Sequence, residues 1–372
     1  MMRTATKVIR AGMRPLAQGE AFSGGVTFAG TYRASGDPAA SPYTYGRYHN
    51  PTWTQFERAL SELDGGPALS FASGMAAVTA VFAAVLQKGD IVAVPADSYY
   101  TSRLLADAFS EMGIEVRKSP TADNAQIKDL DGAKLLWLET PTNPGLDICD
   151  IAALSDAAHR KNVLVAVDNT TCTSLLQRPL ELGADFSVAS DTKALTGHGD
   201  LILGHVAVRD SHWRDKLQSW RNLTGAVPGP MEVWLAHRSM ATLEMRLTRQ
   251  CRNAGLVANF LAARPDVEGV RYPGLPRDTA HEIATRQMSL FGPIVCFALP
   301  TRERAERFLK ACNLVIEATS FGSVHSTAER RARWGGDLVD EGFIRLSVGC
   351  EDSQDIIDDL TQALDRGSSN DV

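Results

Sequence analysis

Hydrophobic and polar positions along this chain follow two rhythms in alternation. Helical segments include Thr52–Leu63 and Gly74–Leu86, the second carrying the Ala, Val, Phe and Leu of a buried helix. Between helices lie short apolar runs closed by turn residues: Asp90–Val94, Lys134–Leu138, Val163–Val167, Phe186–Ala189 and Ile202–Val208. Continuous apolar runs of this length read as strands buried on both faces. Alternating with helices such as Ile151–His159, they predict βαβ units and a parallel sheet. Function in such sheets gathers at the carboxyl ends of the strands.

The pattern changes at both ends of this region. Residues 1–45 lack steady periodicity and are rich in Gly, Ala, Ser and Thr, an arm expected to lie on a neighbouring subunit or on the body of its own chain. After Pro228-Gly229-Pro230, a long helical stretch from Met231 to near Ala262 leads into strands at Gly292–Leu299 and Phe343–Val348 and an amphipathic helix at Ser353–Leu364. The expected organisation is an arm (1–45), an α/β domain (46–230) and a smaller α+β domain (231–372), with the residues after Gly367 frayed.

Composition narrows the function. A net charge of -6 over 372 residues argues against a nucleic-acid partner. Cys149, Cys172, Cys251, Cys296, Cys312 and Cys350 form no C-x-x-C pair and read as reduced thiols. The first residues hold no apolar signal core, and no run reaches the length of a membrane span, so the expectation is a soluble cytoplasmic protein. His198, His205 and His212 recur at intervals of seven but fall on different elements, and no metal site is expected.

Chemistry concentrates at strand ends. The run Phe186–Ala189 opens into Ser190, Asp191, Thr192 and Lys193; a lysine there sits in a partly desolvated cleft, where burial lowers its pKa and makes it a nucleophile towards a carbonyl. Asp168 ends the run Val163–Val167, one crossover length before Lys193. Lysine and acid at adjacent strand ends are what pyridoxal 5'-phosphate requires: one forms the Schiff base, the other keeps the pyridine nitrogen protonated. Ser73-Gly74-Met75 opens a strong helix, a start suited to a phosphate and equally to a plain N-cap; Ser190 and Thr192 add hydroxyls on the same side. Tyr99 follows the strand Ile91–Val94, where its ring could cover a cofactor or simply pack. Arg345, mid-strand in the second domain, suits a carboxylate. No Gly-rich dinucleotide or ATP fingerprint occurs, which leaves a nucleotide-binding oxidoreductase without support.

Together these segments resemble the family of pyridoxal-phosphate enzymes of cysteine and methionine metabolism, which includes cystathionine γ-synthase, cystathionine γ- and β-lyases, methionine γ-lyase and the sulfhydrylases. The resemblance runs from Thr6–Gly12 to Gly342–Asp352. It is most specific at Tyr45–Thr52, Ser73–Ala77, Glu139-Thr-Pro-Thr-Asn-Pro144, Val167–Thr170 and Ser190–Lys193. It implies the aspartate-aminotransferase-like fold type I, with a mainly parallel seven-stranded sheet and a smaller C-terminal α+β domain. It also implies catalysis by Lys193 with Tyr99 and Tyr45 beside it. Gly74, Met75, Ser190 and Thr192 would hold the phosphate within the subunit, Tyr99 would stack on the ring, Asn143 would meet the phenolic oxygen and Asp168 the ring nitrogen. Tyr45 and Arg47 would reach a neighbouring subunit's cofactor, which makes the active unit a dimer or a tetramer of dimers. Arg345, Ser320 and Asn143 would receive the substrate carboxylate.

Two departures bear on the substrate. His325 stands where cystathionine-processing members commonly carry Glu, and Tyr100-Thr101 replaces the Gly-Gly that usually follows the stacking tyrosine. Both are expected to line the distal end of the substrate pocket, with His325 favouring an acidic or polar leaving portion. The expected activity is γ-elimination of the cystathionine γ-lyase kind, giving a 2-oxoacid, ammonia and a thiol. γ-Replacement on an activated homoserine is the alternative, and a catalytically silent binder on the same scaffold is disfavoured by the retained Lys193 and Asp168.

Overall fold

The computed structural model describes residues 2–21 and 24–368. In chain order its elements are α1 (Thr4–Arg10), α2 (Pro51–Asp64), β1 (Ala68–Phe71), α3 (Gly74–Val85), β2 (Ile91–Pro95), α4 (Tyr100–Glu111), β3 (Glu115–Ser119), β4 (Leu135–Glu139), α5 (Ile151–His159), β5 (Leu164–Asp168), α6 (Thr173–Leu176), β6 (Phe186–Ala189), β7 (Gly204–Val208) and α7 (Ser211–Thr224). There follow α8 (Pro230–Met240), α9 (Leu243–Ala263), β8 (Glu268–Arg271), α10 (His281–Gln287), β9 (Ile294–Ala298), α11 (Arg302–Ala311), β10 (Ile316–Glu317), β11 (Thr327–Arg330), β12 (Phe343–Ser347) and α12 (Ser353–Ser368). The fraying expected beyond Gly367 falls largely outside the described residues, since α12 continues to Ser368.

Seven strands form one sheet in the order β1-β7-β6-β5-β4-β2-β3, in which only β7 runs against the rest. The continuous apolar runs are explained by burial on both faces. In β4, Leu135 and Trp137 join the cluster under α3 with Phe82 and Val92, while Leu136 and Leu138 turn to the cluster under α5 with Leu154 and Val165. Each such side chain contributes roughly 1.5–3 kcal/mol of burial. A second, five-stranded sheet, β10-β11-β12-β9-β8, packs against α9, α11 and α12 through Phe297, Phe308, Ile344 and Leu360. This is the expected α/β architecture with a smaller second sheet domain.

Three local departures have physical causes. The stretch expected as one helix from Met231 is two, because the carbonyl of Ser239 near the end of α8 accepts from Arg246 of α9, whose guanidinium also binds the carbonyls of Ala194 and Leu195. The run from Ile202 becomes strand only at Gly204, leaving Ile202 two-thirds exposed at a cavity rim. The edge strand β3, Glu-Val-Arg-Lys-Ser, lacks the apolar signature of its buried neighbours because its edge faces water. In the arm, α1 buries Val8, Ala11 accepts from His237 of α8, and the Trp234 indole donates to the carbonyl of Gly24.

Candidate active site

The carboxyl ends of four neighbouring strands open onto a cavity of about 550 Å³, closed on its far side by residues of the second sheet. β5 ends in Asp168, whose register partner on β6 is Val188, and five residues beyond Val188 stands Lys193. The Lys193 ammonium donates to Ser320 Oγ at 2.9 Å. Burial and the Arg345 guanidinium lower its pKa, against the opposing pull of Asp168 and Glu329. Asp168 accepts from the backbone N–H of Thr170 at 3.0 Å; burial raises its pKa, against the pull of the Thr170 hydrogen bonds and of Lys193.

The third wall is the start of α3. Ser73 caps it by accepting from the N–H of Ala76, so the first-turn N–H groups of Gly74 and Met75 lack any carbonyl of a preceding turn. The helix end approaches the lysine loop so closely that a Cβ on Gly74 would lie 2.6 Å from Ser190 Cβ. That close packing leaves a cradle of backbone donors at a helix N-terminus, the arrangement a phosphate fits. Ser190 lines it; the Thr192 hydroxyl also faces the cavity but is engaged by Leu203, donating to its carbonyl and accepting from its N–H.

Glu139, at the end of β4, is an organiser that the sequence reading did not single out. Its two oxygens accept the backbone N–H groups of Tyr99 (2.8 Å) and Asn143 (2.7 Å), fixing the residue that opens α4 relative to the loop after β4. Burial first, then the Asp168 carboxylate, pushes its pKa well up. The available signal was a lone acid closing a fully apolar strand.

Across the cavity, Arg345 of β12 is almost wholly enclosed. It donates to Asn143 Oδ1 (2.5 Å), to the Ser320 carbonyl (3.0 Å) and to Glu329 Oε1 (2.5 Å), its register partner on β11. Its Nε has no hydrogen-bond partner among the described residues, a buried donor suited to a ligand carboxylate. Burial and the neighbouring Arg331 bring its pKa down to about 10. Ser320 joins both halves of the site, receiving Lys193 on its hydroxyl and Arg345 on its carbonyl, and it holds a left-handed φ of 79° to do so.

The structure thus gathers Lys193, Asp168, Gly74, Met75, Ser190, Thr192, Tyr99, Asn143, Ser320, Arg345 and Tyr100 around one cavity. His325 is not among its lining residues. The backbone reverses at Ser320 and Gly322, and His325 emerges exposed, its N–H directed to Ser323 Oγ; Thr319 lines the wall instead. Tyr45 and Arg47 also lie away from their own chain's cavity: Tyr45 is exposed against Tyr48, and Arg47 donates to the Asn222 carbonyl.

A strand-end lysine and carboxylate, a helix-start anion cradle and an arginine facing them define a pyridoxal-phosphate enzyme of the mainly parallel α/β class. Comparison with known proteins agrees: residues 5–365 match the Cys/Met metabolism PLP-dependent enzyme family, and the chain belongs to it. A Streptomyces coelicolor protein provisionally named cystathionine gamma-lyase is 54% identical over 97% of this chain and 93% of its own length. An L-methionine gamma-lyase of Pseudomonas deceptionensis is 39% identical over 87% of this chain and 86% of its own. Among solved structures, that of metB from Corynebacterium glutamicum superposes with a TM-score of 0.94 at 32% identity, covering 98% of each chain. No helix among the described residues is long and apolar enough to cross a membrane.

Proposed function

We propose that this enzyme catalyses γ-elimination on a sulfur-containing amino acid, in the manner of a cystathionine γ-lyase, releasing a 2-oxoacid, ammonia and a thiol. The observation that carries the reading is the meeting of Lys193 and Arg345 at Ser320, which sets a partly desolvated amine beside an enclosed guanidinium. When bound, the cofactor supplies an electron sink for negative charge developing at the substrate's α-carbon.

The chain's own residues do the rest. Lys193 would tether the cofactor, and Gly74, Met75 and Ser190 would hold its phosphate, joined by Thr192 once its hydroxyl turns from the Leu203 carbonyl. Asp168 would pair with the ring nitrogen, a cationic partner for its buried carboxylate in addition to Lys193, whose pull does not offset burial. Tyr99 covers the ring. With its Oδ1 on Arg345, Asn143 keeps Nδ2 for the phenolic oxygen. Arg345 takes the substrate α-carboxylate through Nε, and this orients the α-hydrogen towards Lys193. Lys193, whose pKa burial lowers, would carry protons between the α, β and γ positions while the γ-sulfur departs as a thiol. With cystathionine and water the products are 2-oxobutanoate, ammonia and cysteine.

In the same reading residues 1–45 form an arm, 46–230 hold the cofactor and 231–372 bring the carboxylate clamp. The assembly is a cytoplasmic homotetramer built from dimers, in which Tyr45 and Arg47 complete the neighbouring subunit's site. Their exposure and their distance from their own cavity support this.

The test is an absorbance spectrum of the purified protein, followed by addition of L-cystathionine with assays for 2-oxobutanoate, ammonia and cysteine. A visible cofactor band with these products is the expected result. A band without turnover, together with thioether formation from an activated homoserine and a thiol, would replace elimination by γ-replacement.

A further inference from the structure

One wall of the cavity takes no part in the chemistry above. It is the stretch after β11, which contributes Arg331, Trp334, Gly336 and Asp337. The Asp337 side chain is only 1% exposed. Its Oδ2 accepts from Arg331 Nε at 2.8 Å and pairs with Nη2 at 2.6 Å. Its Oδ1 finds no hydrogen-bond donor among the described residues. Arg103 Nη2 forms an ion pair with Oδ1 at 3.7 Å, beyond hydrogen-bond length, and donates one N–H to the Gly336 carbonyl. A buried carboxylate oxygen left without a donor, in the wall of a substrate cavity, is a place for a ligand cation.

Asp337 is held in place on both sides. Gly336 lies against the Tyr100 ring so tightly that a Cβ there would be 2.6 Å from ring carbons. On the other side Arg331 bridges Asp337 to Glu329 Oε1, the same oxygen that accepts from Arg345. The ladder Arg345–Glu329–Arg331–Asp337 therefore keeps the free Oδ1 at a set separation from the guanidinium that faces the α-carboxylate.

Resting on the elimination reading above, we propose that Asp337 determines substrate class: its Oδ1 accepts the ammonium of the departing half, selecting homocysteine thioethers whose leaving thiol carries an amine. Cystathionine is such a compound and methionine is not. A methyl or ethyl leaving group would bury Oδ1 unpaired, and a site built for a polar group rejects an analogue that lacks it more strongly than an apolar pocket rejects a missing methylene. The selecting charge is thus negative, opposite to the imidazole expected from His325.

A matched pair isolates the amine: S-(2-aminoethyl)-L-homocysteine and S-ethyl-L-homocysteine. Dissociation constants are measured calorimetrically on cofactor-loaded Lys193→Ala protein, which holds ligands without consuming them, and kcat/KM values on protein with Lys193 intact. The proposal expects the amine-bearing thioether to be preferred by about 30-fold, and Asp337→Asn to bring that preference within about 3-fold, with the visible cofactor band unchanged. Equal affinity for the two ligands without any Asp337 substitution would overturn it, and that comparison needs no Asp337 variant to fold. A preference that survives Asp337→Asn, or equal losses for both ligands, would also overturn it, the latter assigning Asp337 only to holding Arg331. Binding preference without any 2-oxobutanoate would instead overturn the elimination reading and leave the role of Asp337 standing.

Discussion

The Arg345 guanidinium, proposed to receive the substrate carboxylate, is itself held by the groups around it. Asn143, Ser320 and Glu329 take its Nη atoms, and Glu329 stays ionised although burial opposes it, since Arg345, the Trp334 indole and Arg331 outweigh that cost. Glu329→Gln should therefore raise KM by about 10–100-fold while kcat changes only a few-fold, because the lost contact positions the clamp in ground and transition states alike. Steady-state kinetics separate this from misfolding, which would lower active-site content without moving KM. Lys193→Ala loaded with cofactor should lower turnover by at least about 1,000-fold, measured as 2-oxobutanoate release. At this scale Lys193, Asp168 and Arg345 were legible, since each stands at or within an apolar strand where a charge needs a reason. Glu329, Arg331 and Asp337 were not, because Thr-Ala-Glu-Arg-Arg reads as a solvated turn until β12 is laid beside it.

Among elements, the loop from β6 to β7 carries the lysine and rests on a buried charge cluster. His205 of β7 binds Asp191 Oδ1 at 2.6 Å and lies 3.4 Å from Asp64 Oδ2 of α2, all three side chains being nearly solvent-free. Burial opposes charging of this imidazole, yet the two carboxylates push its pKa up to about 10. Since the folded value lies above the unfolded one, this contribution to stability is fully present below about pH 6.5 and is lost as pH rises towards 10. Melting temperature should fall across that window, and His205→Leu should flatten the fall. At neutral pH the same variant should cost about 3–5 kcal/mol by leaving two buried carboxylates unpaired, read from denaturant unfolding. The sequence showed His205 only as one of three evenly spaced histidines; its partners come from a helix and a loop that the chain pattern does not bring together. The segment expected as a single helix from Met231 likewise breaks where Arg246 turns back onto Ser239, a contact without a periodic signature.

For the whole molecule, Tyr45 and Arg47, proposed to complete a neighbouring subunit's site, would make activity a property of the assembly. Arg47→Ala and Lys193→Ala should each be inactive alone. Dissociated, mixed and reassociated, they should recover about a quarter of native activity, because random pairing makes half the dimers mixed and each mixed dimer has one intact site. No recovery, with subunit exchange verified by mass spectrometry of labelled chains, would place Arg47 in its own subunit's function. The amino-acid sequence by itself determined the alternating α/β plan, the strand ends that carry lysine and acid, and the Ser73-capped helix start beside them. All of these are local consequences of burial period and backbone chemistry. Only the tertiary structure decided what lies opposite them: that Ser320 joins Lys193 to Arg345, that His325 turns away, and that Asp337 lies in the cavity wall with one oxygen lacking a hydrogen bond. Those facts depend on register between β11 and β12 and on the packing of a distant loop against Tyr100, where residues far apart in the chain meet and no periodicity records the meeting.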